Sequence, residues 1–325
     1  MTGEAKMKRI LVVAFALMWS ATAQAQEAVP VTVDNFVRAE SDRYFARFLQ
    51  EGGGQLGKFH HDRNIASVDN QPVIRYNRDV LLSAAVFDLV QPRSPCLIRA
   101  NASCRSSSLA GTTICRSQSS AGGSTLDPND PKDLAAVHTL QDEVKVNQPS
   151  GPGKFESPNW DQTSLNKVRD ALLVLQATLK DFRGAFGKKG EVDPIRHLLG
   201  AAAGWGGNPE SVTFYTGSTP VRNDGNTIYR LTVPANVPVD GFWAISVYNA
   251  QGYFQKNDYD AYNFNNVTAK ENADGSVTVQ FGGCDGNVPN CLPIVEGWNW
   301  ATRLYRPRAE ILNGTWKFPE ARPVN

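Results

Sequence analysis

The chain has little net charge and few of the residue types that carry catalysis or hold metals. Its 325 residues include four histidines and five cysteines, and 33 basic against 32 acidic residues leave a net charge of +1. A chain so close to neutral has no basic surface of the kind that nucleic acids require. The G-x-S-x-G pattern of serine hydrolases and the H-E-x-x-H pattern of zinc hydrolases are both absent. The sequence therefore predicts no nucleic-acid partner and offers no standard catalytic motif.

Long apolar runs are also missing, except for one near the N-terminus. Residues 7–9 are a basic start, residues 10–19 are apolar, and residues 23–25 form a small-x-small cleavage site. This pattern is typical of a secretory signal peptide, and the apolar run is too short to span a membrane. Cleavage after residue 25 would change the net charge from +1 to −1. We expect a periplasmic or secreted protein with no membrane anchor after cleavage.

The cysteines fall into two groups. Cys284 and Cys291 have six residues between them in a loop rich in glycine and proline. In an oxidising compartment this spacing predicts a local disulfide, the alternative being two free thiols. Zinc is not expected there, because no histidine or further cysteine lies within ligand spacing. The other three, Cys96, Cys104 and Cys115, share one segment of unusual composition.

Periodicity separates a helical part from a β-rich part. Caps predict helices after Thr32 and at the Asp-Pro pairs 130–131 and 193–194, and apolar residues at helical spacing predict another helix over 165–182. From residue 226 onward the period changes to two. Within 241–254, alternate residues of one strand form two faces that can both pack, as expected of a central strand between two layers. Residues 72–88 predict one or two further strands.

Many runs resemble exported bacterial proteins that carry the paired domains of unknown function numbered 1254 and 1214, among them KFHHDRNIASVDNQPVIRYNRD, FGKKGEVDPIRHLLG, YRLTVPANVPVDGFWAISVYN and RLYRPRAEILNGTWKFPEARPV. The resemblance implies an α+β, mostly β fold. An immunoglobulin-like β-domain would occupy 26–125, a helical segment 126–207, and a jelly-roll-like β-sandwich 208–325. It implies no activity, and the residues indicate no cofactor.

One polar row lies in the predicted strand that contains the run RYNRD. Arg75, Asn77 and Asp79 would project to one face of a strand and could orient a sugar or a carboxylate. The alternative is an ordinary wet face with an internal Arg–Asp pair. The resemblance favours a functional role, although the Thr-Leu-Tyr-Ser that usually follows in the family is Val-Leu-Leu-Ser at 80–83 here.

A second group combines aromatic and polar residues of the C-terminal half. Aromatic rings beside asparagine and arginine at strand ends can stack on and hydrogen-bond a sugar or another small polar ligand. Alternatively, the tryptophan of the group only packs the helical segment onto the sandwich. The candidate ligand-binding residues are Trp205, Tyr248, Asn249, Tyr253 and Arg303.

Two further patterns do not predict a site. The run GGGQLGK at 52–58 formally matches a phosphate loop, but it follows a helix, and Phe59 replaces the hydroxyl residue that would hold magnesium. His60, His61 and Asp62 have metal-ligand side chains, but adjacent histidines on an extended chain point in opposite directions. We therefore expect neither a nucleotide cofactor nor a metal.

These features favour an exported envelope protein that binds a small polar or glycan-like ligand. The alternative is a hydrolase in which Asp79 or His197 is the general base and Arg75 or Arg303 holds an anion. A purely structural envelope protein is the third possibility.

Residues 92–123 differ from the family in a way that the genetic code can explain. Codons can be chosen that encode the written sequence from Pro95 to Arg105. When the same bases are read in the frame that begins at the third base of the Pro95 codon, they encode Leu-Pro-Asp-Pro-Gly-Lys-Arg-Phe-Met-Ser, which resembles the family at this place. We therefore interpret 92–123 as a frameshifted, disordered segment whose three cysteines are accidental.

The frameshift hypothesis predicts the nucleotides of the gene. We expect third bases between the codons for Asp88 and Asp130 that permit the shifted reading, and resequencing together with the intact mass of the protein checks this. Third bases that forbid the shifted codons would end the hypothesis.

Overall fold

The structure is a computed structural model of the chain. It describes residues 27–51, 55–71, 73–88, 105–109, 112–119, 127, 129–144, 153–188 and 190–324. The predicted signal peptide, the glycines 52–54 and much of the segment 92–123 lie outside the described residues. No helix within the described ranges is long and apolar enough to cross a membrane.

The fold is α+β, as predicted. The helices of the described residues are α1 (Phe36–Glu51), α2 (Pro131–Asp142), α3 (Gln162–Gln176), α4 (Pro194–Gly204) and α5 (Ala309–Leu312). The strands are β1 (His60–His61), β2 (Leu81–Asp88), β3 (Arg105–Leu109), β4 (Thr112–Ser119), β5 (Thr213–Ser218), β6 (Tyr229–Val233), β7 (Trp243–Tyr248), β8 (Asn263–Asn265), β9 (Val277–Phe281), β10 (Cys291–Leu292), β11 (Asn299–Tyr305) and β12 (Arg322–Pro323).

These strands form three sheets of four. The N-terminal sheet has the order β1-β2-β4-β3, and the two C-terminal sheets have the orders β10-β9-β6-β12 and β5-β11-β7-β8. One apolar core lies between the two C-terminal sheets and contains inward-facing residues of both, including Leu231, Val279, Ile245 and Leu304. The C-terminal part is therefore two layers that face each other across a shared core.

Strand β7 packs on both faces, as its sequence predicts. All six of its residues are buried. Trp243, Ile245 and Val247 contribute to the core between the two C-terminal sheets. Ala244 and Tyr248 contribute to a second core, which also contains residues of α1, of the segment that precedes β2, and of β2 itself. The sheet of β7 is therefore the middle layer of the molecule.

Two helix predictions need correction at their ends. Helix α1 begins at Phe36 rather than directly after Thr32, because the Thr32 N–H donates to Asn35 Oδ1 at 2.8 Å and holds a turn before the helix. Helix α3 ends at Gln176, because a turn follows in which the Leu179 N–H donates to the Gln176 carbonyl at 2.9 Å. The chain beyond Leu179 is therefore not helical. The two Asp-Pro starts are confirmed, since Asp130 and Asp193 cap α2 and α4.

The disulfide between Cys284 and Cys291 is confirmed. The two residues are bonded, with their Cα atoms 5.6 Å apart. The bond closes the loop between β9 and β10, two strands that pair in parallel.

The segment 92–123 contains two described strands. The backbones of β3 and β4 form an antiparallel pair, and β4 also pairs with β2 along the whole of β2. This pairing differs from the expectation that the segment is disordered, while the rest of the segment lies outside the described residues. A backbone path contains no information on the reading frame, so the frameshift stays a prediction.

Candidate functional site

The run that contains the first polar row is not a strand. Strand β2 begins only at Leu81, and Arg75 has a left-handed backbone with φ +51°. The prediction of a strand face is therefore wrong for Arg75, Asn77 and Asp79, because a strand cannot continue through a left-handed residue. Nor is the row a wet face, since Asp79 is 2% exposed. The apolar residues next to them in the sequence are buried as predicted: Ile74, Tyr76 and Val80.

Arg303 joins this segment to the central sheet. It is a buried residue of β11, and its Nη1 donates to Ser246 Oγ on β7 at 3.0 Å. Its Nη2 donates to the Arg75 carbonyl at 2.7 Å and to the Tyr248 hydroxyl at 2.8 Å. The Tyr248 hydroxyl donates in turn to the Tyr76 carbonyl at 3.2 Å. Burial lowers the pKa of Arg303, but the neighbouring Tyr and Asp79 oxygens outweigh it and hold the pKa above its ordinary value.

Arg75 lies beside Arg303, and its hydrogen-bond partners among the described residues are neutral groups. Its Nη1 donates to the Ala203 carbonyl at the end of α4 at 2.7 Å, and its Nη2 donates to Asn299 Oδ1 at 3.1 Å. Its own backbone N–H donates to the Gly252 carbonyl at 2.8 Å. Burial lowers the pKa of Arg75 to about 10, Tyr248 opposes this shift, and the charge of Arg303 adds to it.

Asn77 and Asp79 complete the polar cluster behind the two arginines. Asn77 Nδ2 donates to the Tyr305 hydroxyl at 2.6 Å, and Asn77 Oδ1 accepts from the Asp79 N–H at 2.8 Å. Asp79 Oδ1 accepts from Asn263 Nδ2 at 2.7 Å, whereas Asp79 Oδ2 is buried with no hydrogen-bond partner among the described residues. Burial raises the pKa of Asp79, although the Arg303 charge and the Asn263 amide act in the opposite direction.

The second predicted group is divided by the structure. Tyr248 and Arg303 belong to the polar cluster. Asn249 and Tyr253 instead form a tight turn after β7, in which Asn249 Oδ1 accepts from the Tyr253 N–H at 3.0 Å. Trp205, which follows α4, packs against α1, because its Nε1 donates to Ser41 Oγ at 2.9 Å and its ring stacks on Tyr44.

A cleft opens beside the arginines. It holds about 700 Å³ of space, a figure that includes the open solvent at its mouth. Arg75, Asn77, Arg303 and Trp205 line it, whereas Asp79 does not. One wall is aromatic, and we use the name aromatic wall for Phe182, Phe186, Tyr215 and Trp205.

Sequence reasoning missed three residues of the aromatic wall. Phe182 was assigned to the end of a helix, but α3 stops before it, and the Phe182 N–H instead donates to the Tyr215 carbonyl of β5 at 3.4 Å. The Phe182 and Phe186 rings stack with their centres 5.9 Å apart. The paired glycines after Trp205 were the available signal, since a Cβ on Gly207 would lie 2.5 Å from the Phe186 ring.

The histidines considered in the sequence lie elsewhere. His197 lines a neighbouring cavity, and its Nδ1 donates to the Ala185 carbonyl at 2.9 Å. His61 Nδ1 lies 2.8 Å from Ser83 Oγ, and His60 Nε2 lies 3.5 Å from Asp62 Oδ1. Within the described ranges no three His, Cys, Asp or Glu side chains are grouped to hold a metal ion.

Comparison with known proteins finds one family match, in the C-terminal part. Residues 211–309 match the family described as "Protein of unknown function (DUF1214)". The predicted similarity is confirmed over these residues, which include β7 and β11. The 1254-type half stays a prediction. A search of the curated proteins finds no match.

Two solved structures are similar in fold. The VPA0106 protein from Vibrio parahaemolyticus is 14% identical with a TM-score of 0.52, over 90% of this chain and 98% of that one. An uncharacterized protein from Burkholderia cenocepacia is 13% identical with a TM-score of 0.45, over 88% of this chain and 89% of that one. The first similarity shows a shared overall fold and no function.

The buried carboxyl predicts an unusual pH dependence. The folded-state pKa of Asp79 lies above its ordinary value of 3.8, so the folded protein favours the protonated carboxyl. The stabilising contribution of Asp79 is therefore complete below pH 3.8 and is lost as the pH rises through the folded-state pKa. Asp79→Asn removes this loss. We expect the free energy of unfolding, variant minus wild type, to increase between about pH 3.5 and pH 7 in urea titrations.

Asp285→Asn is the matched control for this prediction. Backbone N–H groups of Asn287 and Val288 lower the pKa of Asp285, so its stabilising contribution is lost as the pH falls. The variant-minus-wild-type difference should therefore change in the opposite direction. A difference at Asp79 that decreases with rising pH would contradict the raised pKa.

Proposed function

We propose that this protein binds a small polar or glycan-like ligand in the cleft beside Arg75 and Arg303. The observation that carries the proposal is the combination of an aromatic wall with three polar side chains, Arg75, Asn77 and Arg303, in one cleft. Ring-shaped polar ligands are bound in this way, by stacking on aromatic faces and hydrogen bonding at their edges.

The setting of this function is part of the proposal. A signal peptide at 1–25 would export the chain to the periplasm or the exterior. The mature chain would comprise an immunoglobulin-like 1254-type domain, a helical segment and a jelly-roll-like 1214-type sandwich. Two facing C-terminal sheets and the disulfide between Cys284 and Cys291 support this assignment.

A hydrolase is less well supported than a binding protein. Asp79 does not line the cleft and lies behind Asn77, so it is poorly placed to remove a proton from a ligand there. His197 lines a neighbouring cavity that neither Arg75 nor Arg303 lines. Neither proposed base therefore lines the cleft itself, which Arg75 and Arg303 line.

Ligand titration of a cleft variant tests the proposal. We expect at least one of glucose, galactose, N-acetylglucosamine and galacturonate to raise the melting temperature of the wild type. Phe182→Ala should weaken the affinity for that sugar about 10-fold in calorimetric titration, because the variant lacks one stacking surface.

Phe318→Ala is the matched control. Phe318 is a half-buried aromatic residue at the core between the C-terminal sheets, so this variant should not change the affinity. Equal losses in both variants, or no binding up to about 10 mM, would contradict the proposal.

A further inference from the structure

The ionisable residues of the cleft all have the same sign. The cleft continues into two neighbouring cavities. It shares Phe182 with the first of them and Phe186 with the second, which is the cavity that His197 lines. The ionisable side chains along these three cavities, apart from tyrosine, are Arg75, Arg303, Lys180 and His197. No described aspartate or glutamate lines any of them.

The two arginines also lack a carboxylate in direct contact. Among the described residues, neither Arg75 nor Arg303 forms a salt bridge, and the buried Asp79 forms none with either. Arg169 shows the contrast, since its largely buried guanidinium pairs with the buried Glu40. A cation whose direct partners are all neutral can gain from an anionic partner in contact with it.

Arg75 retains donors that a ligand can use. A guanidinium has several N–H groups in one plane, and the bonds to Ala203 and Asn299 occupy one on each terminal nitrogen. The planar fork matches the two oxygens of a carboxylate. The aromatic wall lies in the same cleft and suits the face of a ring.

We propose that the ligand is a ring-bearing carboxylate whose anionic group binds at Arg75, next to Arg303, while its ring stacks on the aromatic wall. This inference rests on the proposed function and adds the charge of the ligand. The ring can be that of a sugar acid or of an aromatic acid, since both present the same chemistry to the cleft.

Matched acid and neutral probes test this on the full chain. The pairs are galacturonate with galactose and benzoate with benzyl alcohol, titrated by calorimetry. We expect at least one acid to bind about 10-fold or more tightly than its neutral partner, because a hydrogen bond to a charged group is stronger than one to a neutral group. The pair that shows the preference identifies the ring type.

Two variants locate the preference. Arg75→Gln should abolish the preference for the acid, so that the acid and its neutral partner bind the variant with equal affinity. Arg230→Gln removes the same charge from an exposed position on β6 and should leave the preference intact. If Arg75→Gln does not fold, the affinities of the wild type for the acid and for its neutral partner still decide whether the ligand is anionic.

Different failures overturn different claims. Equal affinity for the acid and its neutral partner would overturn the anionic ligand and leave the proposed function standing. A preference that survives in Arg75→Gln would overturn the role of Arg75. No binding by any of the four probes, together with none by the sugars of the first test, would overturn both proposals.

Discussion

The buried guanidinium of Arg303 is the contact on which the rest of the site depends. It lies within β11, in the middle layer of the molecule, and bonds to Ser246 on the neighbouring strand. On its other side it reaches the carbonyls of Arg75 and Tyr76, at 2.7 and 3.4 Å. Because those carbonyls belong to a segment without regular structure, Arg303 supplies hydrogen bonds that a sheet would otherwise provide.

The same arrangement explains why the cleft is cationic. Arg303 uses carbonyl and hydroxyl oxygens as its direct partners, and no described carboxylate forms a salt bridge with it. Arg303 donates to the Arg75 carbonyl and so fixes the position of the Arg75 backbone. From there the Arg75 side chain extends to the end of α4, where it donates to the Ala203 carbonyl and lies in the same cleft as the aromatic wall. A structural requirement for hydrogen-bond donors in the middle layer thus places positive charge beside an apolar surface.

Sequence patterns predicted those parts of the fold that local chemistry determines. The two-faced strand β7, the Asp-Pro helix starts and the disulfide all follow from residues close together in the chain. Local chemistry also specifies the turn at Asn272, where the Gly275 N–H donates to the Asn272 carbonyl, and this turn lies between β8 and β9, which belong to different sheets. Turn chemistry specifies a reversal of the chain and cannot specify which sheet the next strand joins.

The candidate site was predictable in its residue types and not in its geometry. The structure does bring together five of the predicted residues: Arg75, Asn77, Asp79, Tyr248 and Arg303. The alternation of side chains along a strand, on which the prediction was based, is not the cause. Their conformation depends on partners far away in sequence, such as Gly252 for the Arg75 N–H and Asn263 for the Asp79 carboxylate. Phe182 of the aromatic wall was missed because helical spacing continues past the point where α3 ends.

Hydrogen exchange in an Arg303→Met variant tests the central claim most directly. Methionine has a similar length and no donors, so the variant removes the bonds to the segment 73–80 while β11 can still pack. The account predicts faster exchange of the Arg75 and Asp79 amides, with protection in β9 unchanged. Unchanged exchange in 73–80, or an equal loss of protection in β9, would show that Arg303 does not hold this segment in place.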